Sequence, residues 1–149
     1  MDPLDVVALT RELVDIDSTT GREGACATLL ASRLRERGWS VDEQRVSEGR
    51  GNVIATRGPR PVLAFSTHVD CVPPFFPSRV EGDRLYGRGT CDAKGILASQ
   101  WVAAERLVAA GHDDIALVFV VGEERGSDGA LKANREPLPT RFLVNGEPT

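Results

Sequence analysis

The chain has 149 residues, 41% of them hydrophobic and 27% charged, with a net charge of −4; this suits one domain with its own core. The acidic balance, with no basic cluster, excludes a nucleic-acid partner, whose phosphates call for a basic face. No apolar run reaches the roughly 20 residues of a membrane span, and the MDPLDVV start lacks the basic and apolar regions of a signal peptide, so no membrane partner is expected. The three cysteines, Cys26, Cys71 and Cys91, form no CxxC pair; this argues against a disulfide framework and for a reducing, cytoplasmic setting.

Taken in order, the chain begins with Asp2 as an N-cap and Pro3 in the first turn of a helix over residues 3–15, with Val6, Leu9, Leu13 and Val14 at helical spacing. The polar break Asp17-Ser18-Thr19-Thr20-Gly21 separates it from a second helix over 23–37, which Gly38 stops. Residues 39–46 and 52–56 read as strands around a glycine-rich turn. Residues 62–67 form a short apolar strand ending at His68. Residues 79–88 read as a hairpin turning at Gly82-Asp83, and 87–95 as a tight glycine-rich loop. A helix is expected over 95–110, ended by Gly111. The unbroken apolar run 115–121 reads as a strand covered on both faces. Ser127 caps a short helix to about Asn134, and 141–144 is a last strand. Helices alternating with apolar strands indicate an α/β fold with an open, parallel or mixed sheet flanked by helices. There are no repeats, low-complexity tracts or linkers.

Polar groups gather at the carboxyl ends of these strands, the edge where open α/β sheets bind ligands. His68 and Asp70, two apart, face one side: the imidazole can hold a metal and the carboxylate can accept its other N–H. Glu123 and Glu124 close the next strand; a turn there lets both reach the site, one to bind metal and the other to remain free as general base. Glu147 ends the last strand, and Asp92 sits in the loop before a helix. One histidine with several carboxylates suits zinc or a similar divalent ion. The glycine-rich loop is not a phosphate cradle, because it lacks the GxxxxGK[ST] order and Asp92 stands where GxGxxG needs its third glycine. Cys71 and Cys91 read as packing residues, and His112, after a helix-stopping glycine, as an exposed cap. The Pro73–Pro77 run reads equally as a wall of the substrate cleft or as a packed loop.

The four segments STHVDCVPP, YGRGTCDAKG, VVGEERGS and VNGEPT resemble, in order and spacing, the zinc-dependent amidohydrolases and exopeptidases that include acetylornithine deacetylase, succinyl-diaminopimelate desuccinylase, aminoacylase and glutamate carboxypeptidase. The resemblance covers nearly the whole chain. It implies a zinc-exopeptidase-like catalytic domain holding two divalent ions, zinc first and cobalt as the alternative. In that pattern His68 and Glu147 bind one metal, Glu124 binds the second, and Asp92 bridges them. Asp70 orients His68, Glu123 is the general base, and the Asp92–Ala93 peptide is cis. The implied activity is hydrolysis of the amide bond of N-acyl amino acids or small peptides, in a protein that dimerises when full length.

Members of that family are much longer, with an inserted lid and dimerisation domain and a returning segment that brings a further histidine ligand. Residues 1–149 therefore read as the N-terminal part of the metal-binding catalytic domain. The alternative reading is a non-catalytic fragment or pseudoenzyme that binds metal or a partner only. An incomplete sheet is also expected to leave an apolar face uncovered and to favour self-association.

Overall fold

A computed structural model describes residues 2–149. Its helices are α1 (Val6–Val14), α2 (Gly24–Glu36), α3 (Lys94–Ala109) and α4 (Asp128–Arg135). Its strands are β1 (Ser40–Ser47), β2 (Arg50–Thr56), β3 (Leu63–His68), β4 (Arg79–Glu81), β5 (Arg84–Tyr86), β6 (Ile115–Val120) and β7 (Phe142–Asn145). Each expected element is present, with ends displaced by up to three residues. The largest displacement is at the start of α1. Asp5, not Asp2, caps that helix: its Oδ1 accepts from the amides of Val7 at 2.8 Å and Ala8 at 3.1 Å. An aspartate capping two amides outranks one followed by proline, which offers no N–H.

Five strands form one mixed sheet in the order β1-β2-β6-β3-β7, and β4 and β5 form a separate hairpin. β2 runs antiparallel to both β1 and β6, whereas β3 lies parallel to both β6 and β7. This parallel trio places the site. His68 stands opposite Val120, and Ser66 opposite Asn145. The segments leaving all three strands therefore emerge together at one edge of the sheet.

Helices α2 and α3 pack on one face of the sheet, and α1 packs on α3. Alternate strand residues meet them: Val53 and Ala55 of β2 and Ile115, Leu117 and Phe119 of β6 join Leu13, Leu30, Leu97 and Trp101 in the buried core. The other alternates, Ile54, Ala64, Val118 and Val120, face a cleft of about 410 Å³ into which α4 presents Ala130 and Ala133. The expectation that 115–121 is covered on both faces is thus corrected, since Val118 and Val120 are only half-buried. A continuous apolar run reports what a strand tolerates and not how much of it another layer covers.

Polar clamps tie the layers together. Buried Lys94, at the start of α3, donates from Nζ to the main-chain oxygens of Leu13 and Ile16, each at 2.8 Å; it thereby satisfies carbonyls at the end of α1. Glu105 of α3 accepts from Trp39 Nε1 at 2.9 Å, Arg37 Nε at 3.0 Å and Trp101 Nε1 at 3.1 Å. Arg50 bridges two carboxylates, Glu23 at the start of α2 and Asp128 at the start of α4.

Candidate metal centre

The site is built where β3, β6 and β7 end. β6 stops at Val120, and the chain turns at Gly122, whose φ is 69° and whose Cβ position would run into the Asp128 carboxylate. Only glycine fits such a turn. It swings Glu123 and Glu124 round to the edge, which a continuing strand would have sent to opposite faces. Asp92 arrives from the loop before α3, and the Asp92–Ala93 peptide is cis. Glu147 lies two residues beyond β7.

His68 is the hub. Its side chain is buried, and its Nδ1 lies 2.8 Å from the main-chain oxygen of Asp70 and 3.5 Å from Asp70 Oδ1. Its Nε2 lies 2.9 Å from Asp92 Oδ1, 3.5 Å from Glu147 Oε2 and 3.9 Å from Glu123 Oε2. Ligand atoms of His68, Asp92 and Glu124 all lie within 4.8 Å of one another. The six residues singled out by sequence therefore converge on one edge. His112 and Cys91 are exposed; Cys71 is buried, with its thiol 3.7 Å from the main-chain oxygen of Asp92. Cys91 thus departs from the packing role expected of it.

The partners of Asp70 differ from the expectation. The closest contact on Nδ1 is the Asp70 main-chain carbonyl, and the Asp70 carboxylate, 3.5 Å from the ring, is shared with other donors. Its Oδ1 accepts from the Glu123 amide at 2.9 Å. Its Oδ2 accepts from the Glu124 amide at 3.1 Å and from the Thr20 hydroxyl at 2.8 Å. Sequence spacing pointed to the neighbour two residues away and carried no signal for amides more than fifty residues on. Ser127 likewise does not cap α4 with its side chain. It adopts a left-handed φ of 53°, and its hydroxyl donates to the Glu123 main-chain oxygen at 3.3 Å.

Both ring nitrogens face acceptors, Nδ1 the Asp70 carbonyl and carboxylate and Nε2 the carboxylates of Asp92 and Glu147; a metal taken up among those carboxylates would displace the Nε2 proton while Nδ1 keeps its own. Burial pulls the imidazole pKa down, but the Asp70 carboxylate and carbonyl, with Glu147, push it up to about 9. Burial also works against ionisation of Asp70, yet the His68 ring, the Thr20 hydroxyl and the Glu123 amide hold its carboxyl below the usual range. Burial, then repulsion from Asp92, raises Glu124. Burial, reinforced by Glu123 and Asp92 against the pull of His68, raises Glu147. Five carboxylates crowd one imidazole, and two of them resist ionisation. Negative charge outweighs positive in such a group, and its mixed nitrogen and oxygen donors fit zinc or a related divalent ion.

Two clefts meet here. The 410 Å³ cleft reaches His68, Glu123 and Glu147. A second, of about 570 Å³, runs past Thr20, Arg22, Phe75, Glu124 and Arg125. The Pro73–Pro77 run contributes Pro73 and Phe75 to that wall.

Residues 64–149, more than half of the chain, match peptidase family M20/M25/M40. Over 97% of its length the chain is 37% identical to a peptidase M20 domain-containing protein of Schizosaccharomyces pombe and 35% identical to a probable carboxypeptidase of Aspergillus clavatus; it spans 38% and 39% of those proteins. The whole fold superposes on a tripeptidase from Staphylococcus aureus with a TM-score of 0.83 at 25% identity, covering 44% of that chain. The chain thus spans about two-fifths of the length of the curated relatives it matches.

Proposed function

Because this chain belongs to peptidase family M20/M25/M40, we propose that its polar sheet edge is the metal-holding, water-activating part of a peptide hydrolase. His68, through Nε2, and Glu147 would hold one divalent ion, Glu124 would hold a second, and Asp92 would serve both. Zinc is the expected metal and cobalt its functional substitute. Metal bound there supplies a Lewis acid and lowers the pKa of a water molecule. The protein's own residues do the rest. Asp70 fixes the His68 ring and the Glu123–Glu124 corner. Glu123, with its side chain 41% exposed, lines the cleft with its Oε2 3.9 Å from His68 Nε2. It takes the proton from the attacking water and returns it to the leaving amine. The clefts on either side receive the two halves of a peptide or of an N-acyl amino acid.

The observation that carries this reading is the state of His68: one nitrogen is committed to Asp70 and the other aimed at Asp92 and Glu147. The names of the relatives, carboxypeptidase and tripeptidase, favour peptides over acyl-amino-acid deacetylation as the substrate class. Calorimetric titration with zinc and with cobalt tests the centre. Binding is expected in the wild-type protein and at least a tenfold loss in His68→Ala; equal affinities remove the assignment. Hydrolysis of a dipeptide and of its N-acetylated analogue by the metal-loaded protein separates the two substrate classes.

A second reading has its own support. Among the described residues only one histidine is near the centre, so the second ion has only carboxylates to hold it. The chain would then bind metal without turning over substrate. Tight binding with no hydrolysis by the full chain favours that reading.

A further inference from the structure

The segment before α2 is attached directly to the strand end that carries Asp70. Thr19 bridges Cys71, the Cys71 amide donates to the Ser18 oxygen at 3.0 Å, and the Thr20 amide donates to the Cys71 oxygen at 3.1 Å. Buried Ser18 adds its hydroxyl to the Val69 oxygen at 2.8 Å. Asp17 accepts from the Thr19 amide and hydroxyl, and the fully buried Glu23 accepts from the Gly21 amide at 2.8 Å. The main chain around Thr20 is therefore held from both sides by groups other than the Thr20 side chain.

That leaves the Thr20 hydroxyl free for one task, its 2.8 Å bond to Asp70 Oδ2. The two Asp70 oxygens share three close donors: the amides of Glu123 and Glu124, and this hydroxyl. Three donors spread over two oxygens fix the twist of the carboxylate plane. Without the hydroxyl, Oδ2 keeps only the longer 3.1 Å contact, and the plane can rotate. Rotation would move the anchor of the Glu123–Glu124 corner and alter the 3.5 Å approach of Oδ1 to His68 Nδ1.

We propose that Thr20 is a positioning residue of the metal centre: its hydroxyl locks the Asp70 carboxylate, and through it the His68 ring and the Glu123–Glu124 corner. This rests on the reading of the edge as a metal centre. A hydroxyl three contacts from the ion, acting through a carboxylate and then an imidazole, stands one step behind the outer partners whose loss costs about tenfold to a hundredfold in metal affinity, so a loss at the low end of that range is expected.

The test compares Thr20→Val and Thr20→Ala, which lack the hydroxyl, with Thr20→Ser, which keeps it. Cobalt and zinc affinities are measured by calorimetry, the cobalt absorption spectrum is recorded, and far-ultraviolet circular dichroism checks the fold. Thr20→Val and Thr20→Ala are expected to bind about tenfold more weakly with an altered spectrum, and Thr20→Ser to stay within about threefold of wild type. Affinities within twofold in all variants overturn the proposal, as does a serine variant as weak as the alanine one. Wild-type protein that binds neither ion sinks the metal reading itself and the proposal with it. Amide hydrogen exchange without metal gives a separate reading: Glu123 and Glu124 are expected to exchange about tenfold faster in Thr20→Ala than in Thr20→Ser. Equal rates overturn the lock even where the metal reading stands.

Discussion

At the scale of single residues, carboxylates in this protein are sorted by what surrounds them. Glu105 collects one guanidinium and two indole N–H groups, and despite its burial these hold its carboxyl below the ordinary range. Its folded-state pKa is lowered, so its contribution is complete above the unfolded value of about 4.3 and is lost as pH falls through the folded one. Glu105→Gln should cost on the order of 3 kcal/mol at pH 7, by urea unfolding, and much less at pH 3; an equal cost at both pH values would contradict this. Glu123→Gln is expected to leave zinc affinity within about threefold and lower kcat by about 10² or more, with KM little changed. Full turnover in that variant would remove the base assignment. That His68, Asp92, Glu124 and Glu147 meet at one edge was legible in the sequence, because three of them close apolar strands and Asp92 lies in the glycine-rich loop that leads into a helix. The duties of Asp70, Thr20 and Lys94 were not, because each is defined by main-chain groups brought near only by the fold.

Among elements, the expected order of helices and strands matches the structure, because apolar runs and glycine stops dominate there. Termini were less readable. Asp2 and Asp5 both satisfy the composition rule for a cap, and the two amides that Asp5 caps decide between them. Ser127 sits where a cap should be, but its left-handed backbone sends the hydroxyl to Glu123 instead. Least visible was the Glu23–Arg50–Asp128 bridge, which fastens α2 and α4 to β2 with distances of 2.8 and 2.6 Å. Glu23 is fully buried, so removing its partner strands a charge. Arg50→Met should destabilise the fold by about 3–5 kcal/mol by denaturant titration. Arg50→Lys should recover less than half of that, since one ammonium cannot replace a guanidinium that spans two carboxylates. Full recovery by lysine would mean that charge alone matters.

For the molecule as a whole, the sheet is clothed on one face and half-clothed on the other. Exposed Leu143 of β7 continues the open apolar surface beside the 410 Å³ cleft, and Phe142 and Val144 are exposed on the other side of the same edge strand. A patch of this kind promotes association. The isolated chain should self-associate in sedimentation velocity at tens of micromolar, and Leu143→Lys should shift it toward monomer; a wild-type monomer throughout would refute this. The clothed face has an optical consequence. The chain's two tryptophans, Trp39 and Trp101, both lie against Glu105. Glu105 sits eleven residues into α3, about 16 Å along the helix from its start beside Asp92. Intrinsic emission therefore works as a built-in gauge of whether the helical layer is seated, dimming or shifting as that layer lifts. It stays blind to ion uptake at the far rim, so a fluorescence trace that ignores added zinc reveals nothing about whether the ion has bound.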